Sequence, residues 1–214
     1  MMVFGIMLIL LLYSVRNVTF SEGSPSKENL RIQVNLEEKN LANSISNTLS
    51  QVYAQGPGAK STASVKLTFL RDAKMLSKAL GVNDPVIVIT YGFNPEHILD
   101  LSKKGNGTYV TVLPGNSDYT GTFTGGDKTV FWSESPYQKV LCNVSGTWDP
   151  LDGRDIDGVN PCRPGSPKMY GLRIKPTELP PVLKIVVTWD PDKPDSWKFN
   201  STEGTLRINI NPGG

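Results

Sequence analysis

Apolar and polar positions change their rhythm three times along the 214-residue chain. Residues 1–15 (MMVFGIMLILLLYSV) are apolar but for Ser14 and hold no charged side chain; Arg16 is the first. Residues 21–25 follow with both strong helix breakers, Gly23 and Pro25, which predicts a kink or melted turn. Ser24 and Pro25 supply an N-cap and a proline for the first helical position. Leu30, Val34, Leu41, Ile45, Leu49 and Val52 then recur at helical spacing, with Arg31, Glu37, Glu38, Lys39, Asn43 and Asn47 on the opposite, polar face. Gly56-Pro57-Gly58 ends the helix.

Beyond residue 60 the period drops to two. Val65, Leu67 and Phe69 alternate with polar neighbours, as in a half-buried strand, and residues 71–81 read as a short helix or turn. Residues 86–91 are continuously apolar, the pattern of a central strand. Further strands are expected at 108–113, 129–132, 184–189 and 205–210. The 20 glycines and 16 prolines suit many short strands better than a helical bundle. The expected fold class is α+β, a long kinked N-terminal helix followed by an antiparallel β-sandwich, immunoglobulin-like or a small barrel. The helical part spans 1–58 (apolar 1–20, break 21–25, amphipathic 26–55) and the β-domain 59–214.

The apolar start narrows the class. It lacks the basic n-region and small-residue cleavage site of a secretory signal peptide. As a membrane span it is short, since fifteen residues rise about 22 Å against roughly 30 Å of hydrocarbon. Met1, Met2, Val3, Phe4, Ile6, Met7, Leu8, Ile9, Leu10, Leu11, Leu12 and Val15 are therefore expected to pack among copies of the same chain. An ordinary membrane anchor and a monomer's core helix are the alternatives.

An uncharged apolar N-terminus, a Gly/Pro break near residue 23 and an amphipathic half running into a β-domain together resemble the lollipop layout of type IV pilins. Residues 41–59 (LANSISNTLSQVYAQGPGA) look like archaeal members, in which a helix ending in Val-Tyr and a Gly-x-Gly turn leads into the first strand. The resemblance covers about the first 70 residues. Gly5 stands where bacterial pilins carry a glutamate, which argues against the bacterial branch, and residues 1–5 do not match the usual archaellin start. The basic leader that a prepilin peptidase would remove is missing from the sequence, so the resemblance implies that the numbering begins at the mature N-terminus. It implies a structural filament subunit used in surface attachment. Its partners would be copies of itself, with a membrane stage before assembly.

Composition adds an address. Net charge is +2, with 22 basic and 20 acidic residues spread along the chain, and no basic patch of the kind that marks nucleic-acid binding stands out. Four Asn-x-Ser/Thr sequons begin at Asn17, Asn106, Asn143 and Asn200. The last three sit in turn-like polar contexts and are the expected glycan acceptors. A sugar at Asn17 would obstruct helix packing, so that site is expected bare. Cys142 and Cys162 are the only thiols and flank a loop rich in Asp, Gly and Pro. A disulfide is their natural reading outside the cytosol, worth about 3 kcal/mol for a loop of that length; two unpaired buried cysteines are the alternative. All of this points to an extracellular, cell-surface location.

Candidate chemistry is sparse. Asp149, Asp152, Asp155 and Asp157 lie within one Gly-containing loop, a set of hard oxygen ligands suited to Ca²⁺. Arg154 sits among them and no closing glutamate follows, so ordinary turn residues explain them better. No other cofactor is expected. The sole histidine, His97, has neither a nucleophile elbow nor a second histidine beside it. Acidic pairs near Asp149 and Asp190 carry no spacing that defines glycosidase carboxylates. Gly125-Gly126-Asp127-Lys128 lacks the spacing of a phosphate loop. Thr188-Trp189-Asp190-Pro191 echoes Thr147-Trp148-Asp149-Pro150, read as two similar strand exits. Catalysis is not expected. The competing reading is a membrane-anchored extracellular glycan-binding module or adhesin, with Trp148, Trp189 and Trp197 as stacking residues. A secreted hydrolase with an uncleaved anchor is third.

Overall fold

The computed structural model describes residues 26–92, 106–115, 130–141 and 171–213. The first element is helix α1, Lys27–Gln55. Its cap is Ser26, whose Oγ accepts from Asn29 N at 3.2 Å, two residues later than the expected Ser24. Glu28 in the first turn complements the positive end of the helix dipole. At the other end Gly56 takes φ +90° and donates its N–H to Val52 O, a conformation few side chains adopt. The apolar stripe of Leu30, Val34, Leu41, Ile45, Leu49 and Val52 is buried throughout. The polar face is not uniformly wet, because Glu38 is fully buried and Glu37 half-buried.

Strand β1 runs Lys60–Lys66, earlier than the expected Val65-to-Phe69 pattern. Leu67 leaves the strand by donating its N–H to Pro181 O, and the next three amides turn toward the helix. Helix α2, Ala73–Leu80, is capped by Asp72 Oδ1, which accepts from Lys74 N and Met75 N. It ends on Gly81 in the left-handed region. Strands β2 (Pro85–Tyr91), β3 (Gly107–Pro114), β4 (Val130–Glu134) and β5 (Gly171–Ile174) follow, then a 3₁₀ turn at Pro176–Glu178. Strands β6 (Val182–Trp189), β7 (Ser196–Asn200) and β8 (Thr205–Ile210) close the described chain.

The expected fold class is corrected here. Among the described residues the strands form two four-stranded sheets, β1-β6-β8-β7 and β4-β3-β2-β5, and neither an immunoglobulin-like sandwich nor a closed barrel. The first sheet is mixed, since β6 and β8 run parallel. Helix α1 lies against β1 and β6 of one sheet and β3 and β4 of the other, joining them through one apolar core. β2 sits between β3 and β5 and is buried along its whole length, as its unbroken apolar run requires.

Pro191 and Pro194 lie in the loop between β6 and β7 and bring no N–H to a ladder. Their loop is held by β8 and its exit. Asn209 Nδ2 donates to Lys193 O (3.2 Å) and Pro194 O (3.1 Å), and Asn211 Nδ2 to Pro191 O (2.9 Å) and Lys193 O (3.1 Å). β7 and β8 then pair antiparallel, and β8 enters between β6 and β7.

Candidate functional site

The helix is clamped to the domain at three levels. Near its middle, Glu37 reaches the chain leaving β1: Oε1 accepts from Thr68 N (2.7 Å), and Oε2 from Phe69 N and Leu70 N (both 2.9 Å). One turn and more beyond, small hydroxyls let the helix approach the other sheet. Ser46 Oγ lies 2.7 Å from Ser133 O and 2.9 Å from Thr108 Oγ1, and Ser50 Oγ lies 3.2 Å from Ser135 Oγ. At the C-terminal end Tyr53 stacks on Trp189 with centroids 5.9 Å apart and meets Tyr137 edge-on at 5.6 Å.

The opposite face of α1 is open. Asn29, Ile32, Leu36, Asn40, Asn43 and Asn47 follow one another at three- to four-residue spacing, and all but the half-buried Asn43 are exposed. Ile32 and Leu36 are 46 % and 48 % exposed, one turn apart, at the end nearer residues 1–25. Toward the other end this face becomes asparagine-rich. No helix among the described residues is long and apolar enough to cross a membrane. The expected polymerisation residues between Met1 and Val15 lie outside the described residues. So do Asn17, His97, Cys142, Cys162, Asn143, Trp148, Asp149, Asp152, Asp155 and Asp157. Among the described residues no group of three or more His, Cys, Asp or Glu is placed to hold a metal.

Asn106 and Asn200 are described. Asn106 is exposed, but its sequon is also shaped by packing. A Cβ on Gly107 would stand 2.1 Å from Ser133 O, and Thr108 is buried against Ser46. Asn200 Oδ1 accepts from Thr202 N (3.0 Å) and Glu203 N (3.2 Å), which fixes the turn and leaves Nδ2, the acceptor nitrogen, without a hydrogen bond among the described residues. Glycopeptide analysis of native material is expected to find sugar on Asn106, Asn143 and Asn200 and none on Asn17. Bare peptides at all four would remove this support for an extracellular address.

The stacking role expected of the tryptophans is corrected. Trp197 is 1 % exposed and belongs to the core, while Trp189 is half-buried beneath Tyr53. Asp190 is a turn former: its Oδ1 accepts from Asp192 N, and Lys193 Nζ lies 2.7 Å from Oδ2, the hydrogen bond that chiefly holds its carboxyl below the usual range.

A group that sequence reasoning missed lies below the aromatic end. Asp195 Oδ1 accepts from Tyr137 OH and from Asn211 N (2.9 Å). Lys139 Nζ stands 3.6 Å from Asp195 Oδ2 and donates to Asn211 O at 2.7 Å. Tyr91 OH donates to Tyr137 O at 2.8 Å, and burial keeps its phenol well above the usual range. Tyr53, Tyr137, Gln138, Lys139 and Pro212 line a cleft of about 260 Å³ here. Burial pushes the Asp195 carboxyl from 3.8 up to about 6, against the backbone amides of Asn211 and Asp195 that pull it down. An acid whose pKa is higher folded than unfolded binds its proton more tightly when folded. Its favourable contribution is complete below about pH 4 and is lost as pH rises through 6. Melting curves are expected to show stability falling by about 1–2 kcal/mol across that window after solvent screening, and Asp195→Asn is expected to flatten the slope. An unchanged slope in that variant would assign the pH response elsewhere.

Searches against family models, curated proteins and solved structures found no match to this chain.

Proposed function

We propose that this chain is a structural subunit of an extracellular filament of the type IV pilus kind, polymerised through residues 1–15 and used in surface attachment. The observation that carries the reading is the two-sidedness of α1. One face is sealed to both sheets, whereas the other exposes Ile32 and Leu36 at the end that continues toward the uncharged apolar segment. In a filament, neighbouring helices would cover that apolar strip, and the asparagine-rich remainder would face the looser, wetter outer shell. The partners are copies of the same chain, with the membrane holding the apolar segment before assembly. The role is architectural, not catalytic.

The competing glycan-binding module drew on Trp148, Trp189 and Trp197. With Trp197 in the core and Trp189 under Tyr53, two of its three rings are already occupied. Electron microscopy of the native cell surface, with an antibody to the β-domain, tests the filament reading. Decorated filaments of uniform width are expected, and diffuse membrane labelling without filaments would overturn it.

A further inference from the structure

We propose that the outward face of the β1-β6-β8-β7 sheet binds a linear acidic polysaccharide. This inference stands on the folded domain and does not depend on the filament reading. The face is assembled by strand register. Lys60 on β1 lies opposite Thr188, Lys66 opposite Val182, and Lys184 on β6 opposite Ser64. Lys198 on β7 lies directly opposite Arg207 on β8. Directly paired residues share a face, so all five cations stand on the side away from the core, and all five are exposed. The alternate positions Leu183, Ile185, Val187, Trp197, Leu206 and Ile208 fill the core.

The charge is unbalanced. Arg207 is paired with Glu203 at 2.8 Å, and Lys193 at the sheet's end with Asp190 at 2.7 Å. Lys60, Lys66, Lys184 and Lys198 have no ion pair among the described residues. Lys198 stands directly opposite Arg207, a like-charge pair that Glu203 offsets on the Arg207 side only and that a bound anion would relieve further. Beside them runs an open groove of about 310 Å³ whose lining includes Lys60, Lys198, Arg207, Thr188, Ser196 and the Lys193–Asp190 pair. Lys198 and Arg207 stand on adjacent strands about 4.8 Å apart, while Lys60 and Lys66 lie about 20 Å apart along β1 with Lys184 on the neighbouring strand, so the cations are spread over a length that an extended polyanion can follow.

The lining favours sugar over nucleic acid. Thr62, Ser64, Thr188 and Ser196 supply hydroxyls on the same face, suited to a polyhydroxylated chain. No aromatic ring lies among the outward positions of these strands; Trp197 and Phe199 point inward with Ile208 and Leu206. Base stacking, the usual anchor for single strands, is therefore missing.

The test uses the full chain, as filaments or in detergent, with polygalacturonate as probe, neutral dextran as control and an oligothymidylate as competitor. Polygalacturonate is expected to bind and dextran not, with affinity falling several-fold between 50 and 200 mM salt because exposed charges are screened. Lys184→Gln/Lys198→Gln, which keeps side-chain length, is expected to weaken binding about tenfold without moving the melting temperature. Lys39→Gln/Lys74→Gln, which removes exposed charges from the helices, is expected to leave binding unchanged. The proposal falls if polygalacturonate does not bind, if both double variants lose affinity equally, or if oligothymidylate binds as tightly as the polysaccharide.

Discussion

Filaments are expected to disappear when Leu10 or Leu11 is replaced by lysine, while residues 26–213 keep their fold. In a bundle of apolar helices a lysine ammonium has no carboxylate to meet, because residues 1–15 contain no acidic side chain. Burying it costs several kcal/mol, and the cost recurs in every subunit. The described core draws only on residues from Leu30 onward, so the domain's melting transition is expected to stay where it is. Ile32→Asp provides an intermediate case. That side chain is already half in water in the isolated subunit, so folding is insensitive to it, whereas a filament that covers the strip is expected to weaken. Electron microscopy and sedimentation of assembled material read both effects. Normal filaments from the lysine variants would end the filament reading.

The largest effect on the folded domain is expected at Glu37. Replacing it with alanine removes the acceptor for three consecutive amides, those of Thr68, Phe69 and Leu70. Hydrogen bonds to a charged group are each worth more than neutral ones, and three donors converging on one carboxylate cannot all find another protein partner. Thr68 is exposed and its amide can turn to water, but Phe69 and Leu70 are partly or wholly covered. A loss of about 3 kcal/mol follows, or roughly 6–12 °C in melting temperature for a chain of this size. Glu37→Gln is expected to recover part of it, since the amide oxygen still accepts. A shift below about 1 kcal/mol in the alanine variant would show that water replaces the carboxylate without penalty.

Much of the architecture was legible locally. The stripe from Leu30 to Val52 marked the buried face of α1, and unbroken apolarity marked β2 as central. β7 was not among the expected strands, although its alternation, with Trp197 and Phe199 interleaved with Ser196, Lys198 and Asn200, marks it. Reading Trp197 as an exposed stacking ring overlooked that period, which points it inward. β5 carried a weaker signal, since four residues with Arg173 among them are too few to establish a pattern. The roles of Glu37 and Asp195 were not legible. A carboxylate on a polar helix face looks the same in sequence whether it meets water or three backbone amides from a segment more than thirty residues away.

By itself the sequence determined the apolar start, the long amphipathic helix with its Gly-Pro-Gly stop, and most strand positions. Each depends on residues within one or two turns or a few alternations of one another. Only the tertiary structure decided that β8 enters between β6 and β7, making the sheet mixed. It also decided that α1 packs on both sheets in place of a sandwich, and that Lys60, Lys66, Lys184, Lys198 and Arg207 share one face. Strand order and register are set by which distant apolar faces bury one another, and a one-residue slip would turn every one of those cations toward the core.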